Sequence, residues 1–147
     1  MIDLKLVPVS KEHIDNICEI ENESFCDPWN KQFFLELIDS PIAVCYAAVT
    51  KSGVSGYIIT YHIADEIQIL NIAVKRSERN KQIATNLFDV IFDYAEAGNA
   101  EKFTLEVRPS NTAAAALYKK LGFEIDGLRK NYYTRPKEDA ILMSMKV

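Results

Sequence analysis

The chain has 147 residues, a formal net charge of −4, 48% hydrophobic residues and 26% charged residues. This length and composition fit a single globular domain, residues 1–147, with an ordinary core. The acidic balance argues against a nucleic-acid-binding protein, and no apolar run approaches the ~18 residues of a membrane span.

The sequence also lacks the marks of a secreted or metal-binding protein. The opening MIDLKLVPVS has no basic segment followed by an apolar run, so we expect no signal peptide and a cytoplasmic protein. Cys18, Cys26 and Cys45 are odd in number and show no CxxC spacing, which favours free thiols in a reducing compartment. The two histidines stand alone, so we predict no metal site.

The N-terminal half predicts a strand, two helices and then a β-meander. DLKLVPV alternates as a strand, and Ser10 can cap the helix that follows, with isoleucines on its buried side. After the turn DPWN, Asn30 can cap a second helix over Lys31–Ile38. Three strands follow, IAVCYAAVT, VSGYIITYHI and EIQILNIAV, and the turn KSG joins the first two.

The C-terminal half alternates helices and strands. From Gln82 the apolar residues recur at helical spacing until Gly98 ends the helix. KFTLEV is a strand, and SNTAAAALYKKLGF is a helix that Ser110 or Asn111 can cap and Gly122 ends. FEIDGLRKNYY and AILMSMKV are the last strands. The order β-α-α-β-β-β-α-β-α-β-β predicts a mixed α/β (α+β) fold around one sheet.

A short basic loop joins the third meander strand to the next helix, within LNIAVKRSERNKQIATNLF. Lys75, Arg76, Arg79 and Lys81 lie within seven residues of one another. The first N–H groups of a helix have no intrahelical partners, and the helix dipole adds about half a positive charge there. The loop can therefore bind a phosphate or pyrophosphate, although a solvated basic turn has the same pattern. It contains neither a Walker motif nor GxGxxG.

Two residues of the C-terminal half are candidates for chemistry. The apolar residues of KFTLEV share one strand face, so Glu106 lies on the other face. Tyr118 lies on a helix otherwise packed by alanine and leucine. On the residues alone, an exposed strand carboxylate and a core tyrosine are the simpler interpretations, and Asn111 is most simply a helix cap.

LNIAVKRSERNKQIATNLF followed by LEVRPSNTAAAALYKKLGF resembles the GNAT superfamily of N-acetyltransferases. Within it, NIAV, LEVRPSN, ALYKKLGF, RKNYY with EDAILM, and the early DPWN are most similar to the bacterial ribosomal-protein alanine N-acetyltransferases, the RimI type. The resemblance covers nearly the whole chain. It implies a single GNAT domain with a mixed, mostly antiparallel sheet whose central strands are splayed and flanked by helices. It also implies acetyl-CoA as co-substrate and no metal.

The family's phosphate loop has the form Q/R-x-x-G-x-G/A, and residues 79–84 occupy it here, with Gln82 at the usual glycine position. The resemblance implies that this loop binds the pyrophosphate of acetyl-CoA and that the preceding strand pairs with the pantetheine arm. A backbone N–H near Val74 would polarise the thioester carbonyl. The implied cofactor-binding residues are Ile72, Ala73, Val74, Arg79, Asn80, Lys81, Gln82, Ile83, Ala84, Thr85 and Asn111.

The resemblance also implies the catalytic residues and the partners. Glu106 matches the general base, acting directly or through water, and Tyr118 matches the general acid that protonates the departing CoA thiolate. The acceptor would be the N-terminal α-amine of a protein, foremost the alanine end of a ribosomal protein. We expect no nucleic-acid or membrane partner, and a monomer or weak dimer.

The residues that select the acceptor are less defined. Candidates are Phe25 and Trp29, the YHIADE turn, and Tyr132 with Tyr133, although packing roles are equally open for these aromatic residues. A second set is acidic and could favour a basic peptide or simply form a solvated face: Glu21, Glu23 and Asp27.

Two other functions remain open on the sequence. The acceptor could be a small amine, a polyamine or a protein lysine, with the same chemistry. The chain could also be an acetyl-CoA-binding module with little catalysis, for which Gln82 is the only support.

Overall fold

The computed structural model describes residues 3–79 and 81–147. In this part of the chain, seven strands and four α-helices follow one another in the predicted order. The strands are β1 (Lys5–Pro8), β2 (Ala43–Thr50), β3 (Gly53–Ile63), β4 (Glu66–Val74), β5 (Lys102–Val107), β6 (Glu124–Thr134) and β7 (Lys137–Lys146). The helices are α1 (Ile14–Ser24), α2 (Lys31–Ile38), α3 (Ile83–Ala97) and α4 (Thr112–Leu121). No described helix is long and apolar enough to cross a membrane.

All seven strands form one sheet, in the order β1-β2-β3-β4-β5-β7-β6. Every neighbouring pair is antiparallel except β4 and β5, which confirms the mixed, mostly antiparallel sheet. The parallel pairing joins only residues 66–69 of β4 to residues 102–105 of β5. Beyond that point the two strands pair no further, which confirms the predicted splay.

A β-bulge in β4 lies where this splay begins. Ile59 of β3 pairs with Asn71, whereas Thr60 pairs with Ile69, so Leu70 is an extra residue in β4. The extra residue shifts the alternation of side chains between the two faces of the sheet. Ile72 therefore packs on the same face as Ile69, while Leu70 packs on the opposite face.

Two apolar cores cover the two faces of the sheet. The first buries α3 against the sheet, and α4 and β5 contribute to it through Tyr118 and Leu105. The second buries α1 and α2, and its α1 residues are the predicted isoleucines Ile14, Ile17 and Ile20. Burial of each such side chain stabilises the fold by about 1.5–3 kcal/mol.

The helix ends follow the predicted capping residues, with one difference. Asn30 accepts a hydrogen bond from the Phe33 N–H at 2.9 Å, and Asn111, rather than Ser110, accepts one from the Ala114 N–H at 3.2 Å. Gly122 ends α4 with φ 115°. Ser10, however, caps a short 3-10 turn over Lys11–His13, and α1 begins only at Ile14.

Candidate active site

The predicted site residues lie around the splay between β4 and β5. Ile72, Ala73 and Val74 form the last part of β4, and the loop that follows leads to the N-terminus of α3. Beyond Ile69 the edge of β4 that faces β5 has no partner strand within the described residues. Its backbone groups can therefore pair with an extended ligand. Asn80 lies outside the described residues.

Gln82 precedes α3 instead of starting it, which corrects the predicted helix start. It is the N-cap of α3 and has left-handed backbone angles, φ 61° and ψ 22°. A Cβ makes this conformation unfavourable by about 1–2 kcal/mol, whereas glycine adopts it freely. The left-handed turn is a physical reason for the usual glycine at this position of the phosphate loop.

The N-terminus of α3 has the properties of an anion site. Ile83, Ala84 and Thr85 form its first turn, which contains no acidic residue. Their N–H groups have no carbonyl partner within the helix and lie at the positive end of the helix dipole. The Ile83 side chain is buried in the core, so only its backbone is available to a ligand. This arrangement can bind a phosphate or pyrophosphate.

Three cations of the loop, Arg76, Arg79 and Lys81, are exposed to solvent and also contact neighbouring groups. Arg79 Nε donates to the Val74 carbonyl at 3.2 Å, and Lys81 Nζ lies 2.8 Å from Glu78 Oε2. Arg76 contacts α1, because its backbone N–H donates to Glu23 Oε1 at 2.8 Å and its guanidinium donates to the Glu23 carbonyl at 3.2 Å. The loop is therefore a solvent-exposed basic turn in which three cations are held by neighbouring groups.

Glu106 lies on the strand face predicted for it. Phe103, Leu105 and Val107 are buried on the other face of β5, and the side chain of Glu106 is 33% exposed. Arg129 Nη1 lies 3.7 Å from its Oε1. Hydrogen bonding to Glu106 raises the pKa of the Tyr132 hydroxyl. The carboxylate is therefore accessible to an acceptor and close to cationic and hydroxyl groups of β6.

Tyr118 is buried among aromatic rings of the first core. Its ring centroid lies 6.0 Å from that of Phe88 and 5.9 Å from that of Phe123. Burial, and secondarily the Tyr133 hydroxyl, raises the pKa of Tyr118 to about 12. Burial and Glu106 likewise raise the pKa of Tyr133 to about 12. Tyr133 is thus within electrostatic range of both predicted catalytic residues.

The two tyrosines of β6 differ in availability. Tyr133 is half-buried beneath Arg108, whose guanidinium lies 4.1 Å from the ring centroid. Arg108 also donates to the carbonyls of Pro136 at 2.8 Å and Arg135 at 3.1 Å, which fixes the β6–β7 turn against β5. Tyr132 is 42% exposed and can be reached by an acceptor, while Arg129 lies 5.0 Å from its ring centroid. The role of Arg108 was not predicted, since its partners lie 27 and 28 residues away.

The three acidic residues suggested for a basic acceptor do not form one surface. Glu21 is only 1% exposed and its carboxylate accepts three hydrogen bonds. It therefore neither contacts the peptide substrate nor forms part of a solvated face. Glu23 holds Arg76, and Asp27 is exposed. Trp29 packs against Phe33 with ring centroids 4.4 Å apart.

Asn111 remains able to donate although it caps α4. Its side-chain oxygen accepts from the Ala114 N–H, which leaves the amide NH2 available at an exposed position. Within residues 3–79 and 81–147, no group of three or more His, Cys, Asp or Glu side chains could hold a metal ion.

Comparison with known proteins places the chain among acetyltransferases. A family model described as "Acetyltransferase (GNAT) family" matches residues 14–123. The chain is 41% identical over 134 residues to the Bacillus subtilis (strain 168) protein named "Putative ribosomal protein bS18-alanine N-acetyltransferase", covering 90% of this chain and 88% of the relative. It is 32% identical over 131 residues to the Escherichia coli (strain K12) ribosomal protein bS18-alanine N-acetyltransferase, covering 87% of each chain.

Solved structures have the same fold. The crystal structure of the ribosomal-protein-S18-alanine N-acetyltransferase from Escherichia coli superposes with a TM-score of 0.89 at 27% identity, covering 98% of this chain and 94% of the other. Ard1 from Thermoplasma volcanium superposes with a TM-score of 0.91 at 24% identity, covering 99% of each chain. At that lower identity the second likeness concerns the fold alone.

Proposed function

The chain belongs to the GNAT family of acetyltransferases, and we propose that it acetylates the N-terminal α-amine of a protein, with the alanine end of a ribosomal protein as the natural acceptor. It is an acetyl-CoA-dependent N-acetyltransferase. The observation that carries the proposed acceptor is the 41% identity, over 90% of the chain, to a relative whose name specifies ribosomal protein bS18 alanine.

We assign the cofactor-binding residues to the two sides of the splay. The unpaired edge of Ile72–Val74 would pair with the pantetheine arm of acetyl-CoA, and a backbone N–H near Val74 would polarise the thioester carbonyl. The first turn of α3 and the loop before it would bind the pyrophosphate through N–H groups and through Arg79 and Lys81. The free NH2 of Asn111 would contact the cofactor arm. The unpartnered edge of β4 and the N-terminus of α3 support these assignments.

The proposed chemistry is direct transfer without a covalent enzyme intermediate. An α-amine has a pKa of about 7.7–8.0, so a modest base is enough to supply its neutral form. Glu106 takes the amine proton, directly or through water, as the nitrogen attacks the thioester carbonyl. The C–N bond forms, the C–S bond breaks, and the thiolate takes a proton from Tyr118. The Tyr118 hydroxyl is protonated at neutral pH, as this role requires and as any tyrosine with a pKa of 10 or above would be.

The acceptor class is tested by comparing initial rates of acetyl transfer to different amines. The set contains peptides that begin with Ala, Ser or Met, a lysine peptide blocked at its N-terminus, and spermidine. We expect the highest kcat/KM on the alanine peptide. A higher kcat/KM on the blocked lysine peptide or on spermidine would move the enzyme to another acceptor class. No transfer to any amine, together with measurable acetyl-CoA binding, would favour the binding-module alternative.

A further inference from the structure

The side chain of Glu21 forms a buried hydrogen-bonded centre beside the proposed active site. Its Oε1 accepts from Asn71 Nδ2 at 2.7 Å and from the Tyr57 hydroxyl, and its Oε2 accepts from the Trp29 N–H at 2.9 Å. Glu21 is 1% exposed and Tyr57 is fully buried. A carboxyl group in such a place is costly unless its oxygens are hydrogen-bonded, and here both oxygens have donors.

Two of the three donors belong to segments that flank the site. Asn71 lies in the bulge of β4, directly before the backbone assigned to the pantetheine arm. The bulge determines the face on which Ile72 and its neighbours lie, and the bond from Asn71 to Glu21 fixes the bulge against α1. Loss of this bond would therefore allow the backbone at Ile72–Val74 to move.

The second donor that flanks the site is the Trp29 N–H, which belongs to the loop of residues 25–30 between α1 and α2. The Trp29 N–H is held by Glu21 eight residues earlier, and the Trp29 ring packs on Phe33 at the start of α2. The loop lies beside Asn71, since both donate to one carboxylate. Tyr57, the third donor, comes from the middle of β3 and orients the carboxylate from within the core.

We infer that Glu21 is a positioning residue for acetyl transfer, which holds the bulge of β4 through Asn71 and the 25–30 loop through Trp29. One carboxylate thus fixes the β4 backbone assigned to acetyl-CoA relative to the loop of residues 25–30. The part of this inference in which the 25–30 loop contacts the acceptor rests on the proposed function. The part that concerns Asn71 and the bulge rests only on acetyl-CoA binding.

Two variants separate the two bonds. In Glu21→Gln, one amide oxygen can still accept from both Asn71 and Tyr57, but the amide NH2 then faces the Trp29 N–H and cannot accept from it. We expect this variant to raise KM for the acceptor and to leave the Kd for acetyl-CoA unchanged. Asn71→Ala removes the bond to the bulge and keeps the bond to Trp29. We expect it to weaken acetyl-CoA binding and to lower kcat, with the acceptor KM unchanged.

A control variant separates positioning from loss of stability. Tyr94 donates or accepts one hydrogen bond with His62 Nδ1, at 2.7 Å, between α3 and β3. Tyr94→Phe removes one interaction of similar kind that involves no residue assigned to acetyl-CoA or to Glu21, so it should lower the melting temperature and leave kcat and the Kd for acetyl-CoA unchanged; because His62 lies in the YHIADE turn, the acceptor KM is not a readout of this control. The positioning variants should change their kinetic constants by about 10- to 100-fold, because a misplacement of ~1 Å can cost that much in rate.

The measurements are titration calorimetry with acetyl-CoA alone, steady-state kinetics and thermal unfolding. Kinetic constants of Glu21→Gln and Asn71→Ala equal to those of wild type would overturn the inference, and so would a Tyr94→Phe variant that changes kcat and the Kd for acetyl-CoA as much as Asn71→Ala does. If Glu21→Gln does not fold, Asn71→Ala decides it. If wild type does not accept an alanine peptide, the proposed acceptor is wrong. Asn71→Ala then still tests the bulge through the Kd for acetyl-CoA, and Glu21→Gln is assayed with whichever amine wild type acetylates.

Discussion

The left-handed backbone of Gln82 predicts that replacing it with glycine stabilises the protein. Gln82 has φ 61° and ψ 22°, directly before the first turn of α3. A residue with a Cβ loses about 1–2 kcal/mol in this conformation, and glycine loses more backbone entropy on folding, about 0.5–1 kcal/mol. The Gln82→Gly variant should therefore gain about 0.5–1 kcal/mol in free energy of unfolding, or about 1–4 °C in melting temperature for a chain of this size.

The assay is thermal unfolding followed by calorimetry with acetyl-CoA. Ala64→Gly is the matched control, because Ala64 also has a positive φ of 54° but lies in the exposed turn between β3 and β4. Both variants should be more stable than wild type. Only Gln82→Gly should also bind acetyl-CoA more tightly, because removal of its Cβ lets the pyrophosphate approach the backbone.

Each result of this experiment has a definite meaning. A Gln82→Gly variant less stable than wild type would refute the strain argument, since glycine should only relieve it. Weaker acetyl-CoA binding by Gln82→Gly would refute the role given to the Cβ and show that the glutamine side chain itself contacts the cofactor. Equal changes in affinity in Ala64→Gly would show that the effect is not local to the phosphate loop.

Three further predictions concern the acid, the base and the buried carboxyl. Glu106→Gln should lower kcat by about 10²–10⁴-fold, while Glu124→Gln, which neutralises an exposed carboxylate of β6, should leave it unchanged. Tyr118→Phe should lower kcat by a similar factor of about 10²–10⁴ with a melting temperature close to that of wild type; wild-type rates in both would refute the assigned roles. Burial raises the pKa of Glu21 above its ordinary value of 4.5. The folded state therefore favours the protonated form of Glu21, and the contribution of Glu21 to the free energy of unfolding is full below pH 4.5 and falls as pH rises through the raised pKa of the folded state. The free energy of unfolding of wild type minus that of Glu21→Gln, measured by denaturant titration, should therefore fall as pH rises across this range. A difference that does not change with pH would contradict the prediction.

Local signals in the sequence were enough to predict the elements of the fold. Helix α2 begins and ends where predicted, because Asn30 caps it and Ser40-Pro41 follows its last turn. KFTLEV is β5 to the residue, since its alternation is complete. The splay of β4 from β5 came from the family resemblance and not from periodicity, because unpaired backbone leaves no mark on side-chain pattern.

The parts of the site that sequence reasoning missed depend on distant contacts or on backbone angles. Glu21 looked like a surface residue because its partners Trp29, Tyr57 and Asn71 lie 8, 36 and 50 residues away. The bulge at Leu70 was hidden because EIQILNIAV reads as one uninterrupted strand. The left-handed turn at Gln82 was missed because the residue type itself favours a helix.

The most direct test of the proposed function locates the acetyl group on a single peptide. The peptide begins with a free alanine, contains one lysine and carries basic residues after the first position. It is incubated with enzyme and acetyl-CoA and then fragmented in a mass spectrometer. We predict one acetyl group on the alanine α-nitrogen, an unmodified lysine, and no gain on the same peptide acetylated beforehand. An acetyl group on the lysine with a free alanine, or no transfer by an enzyme that binds acetyl-CoA, would contradict the proposed function.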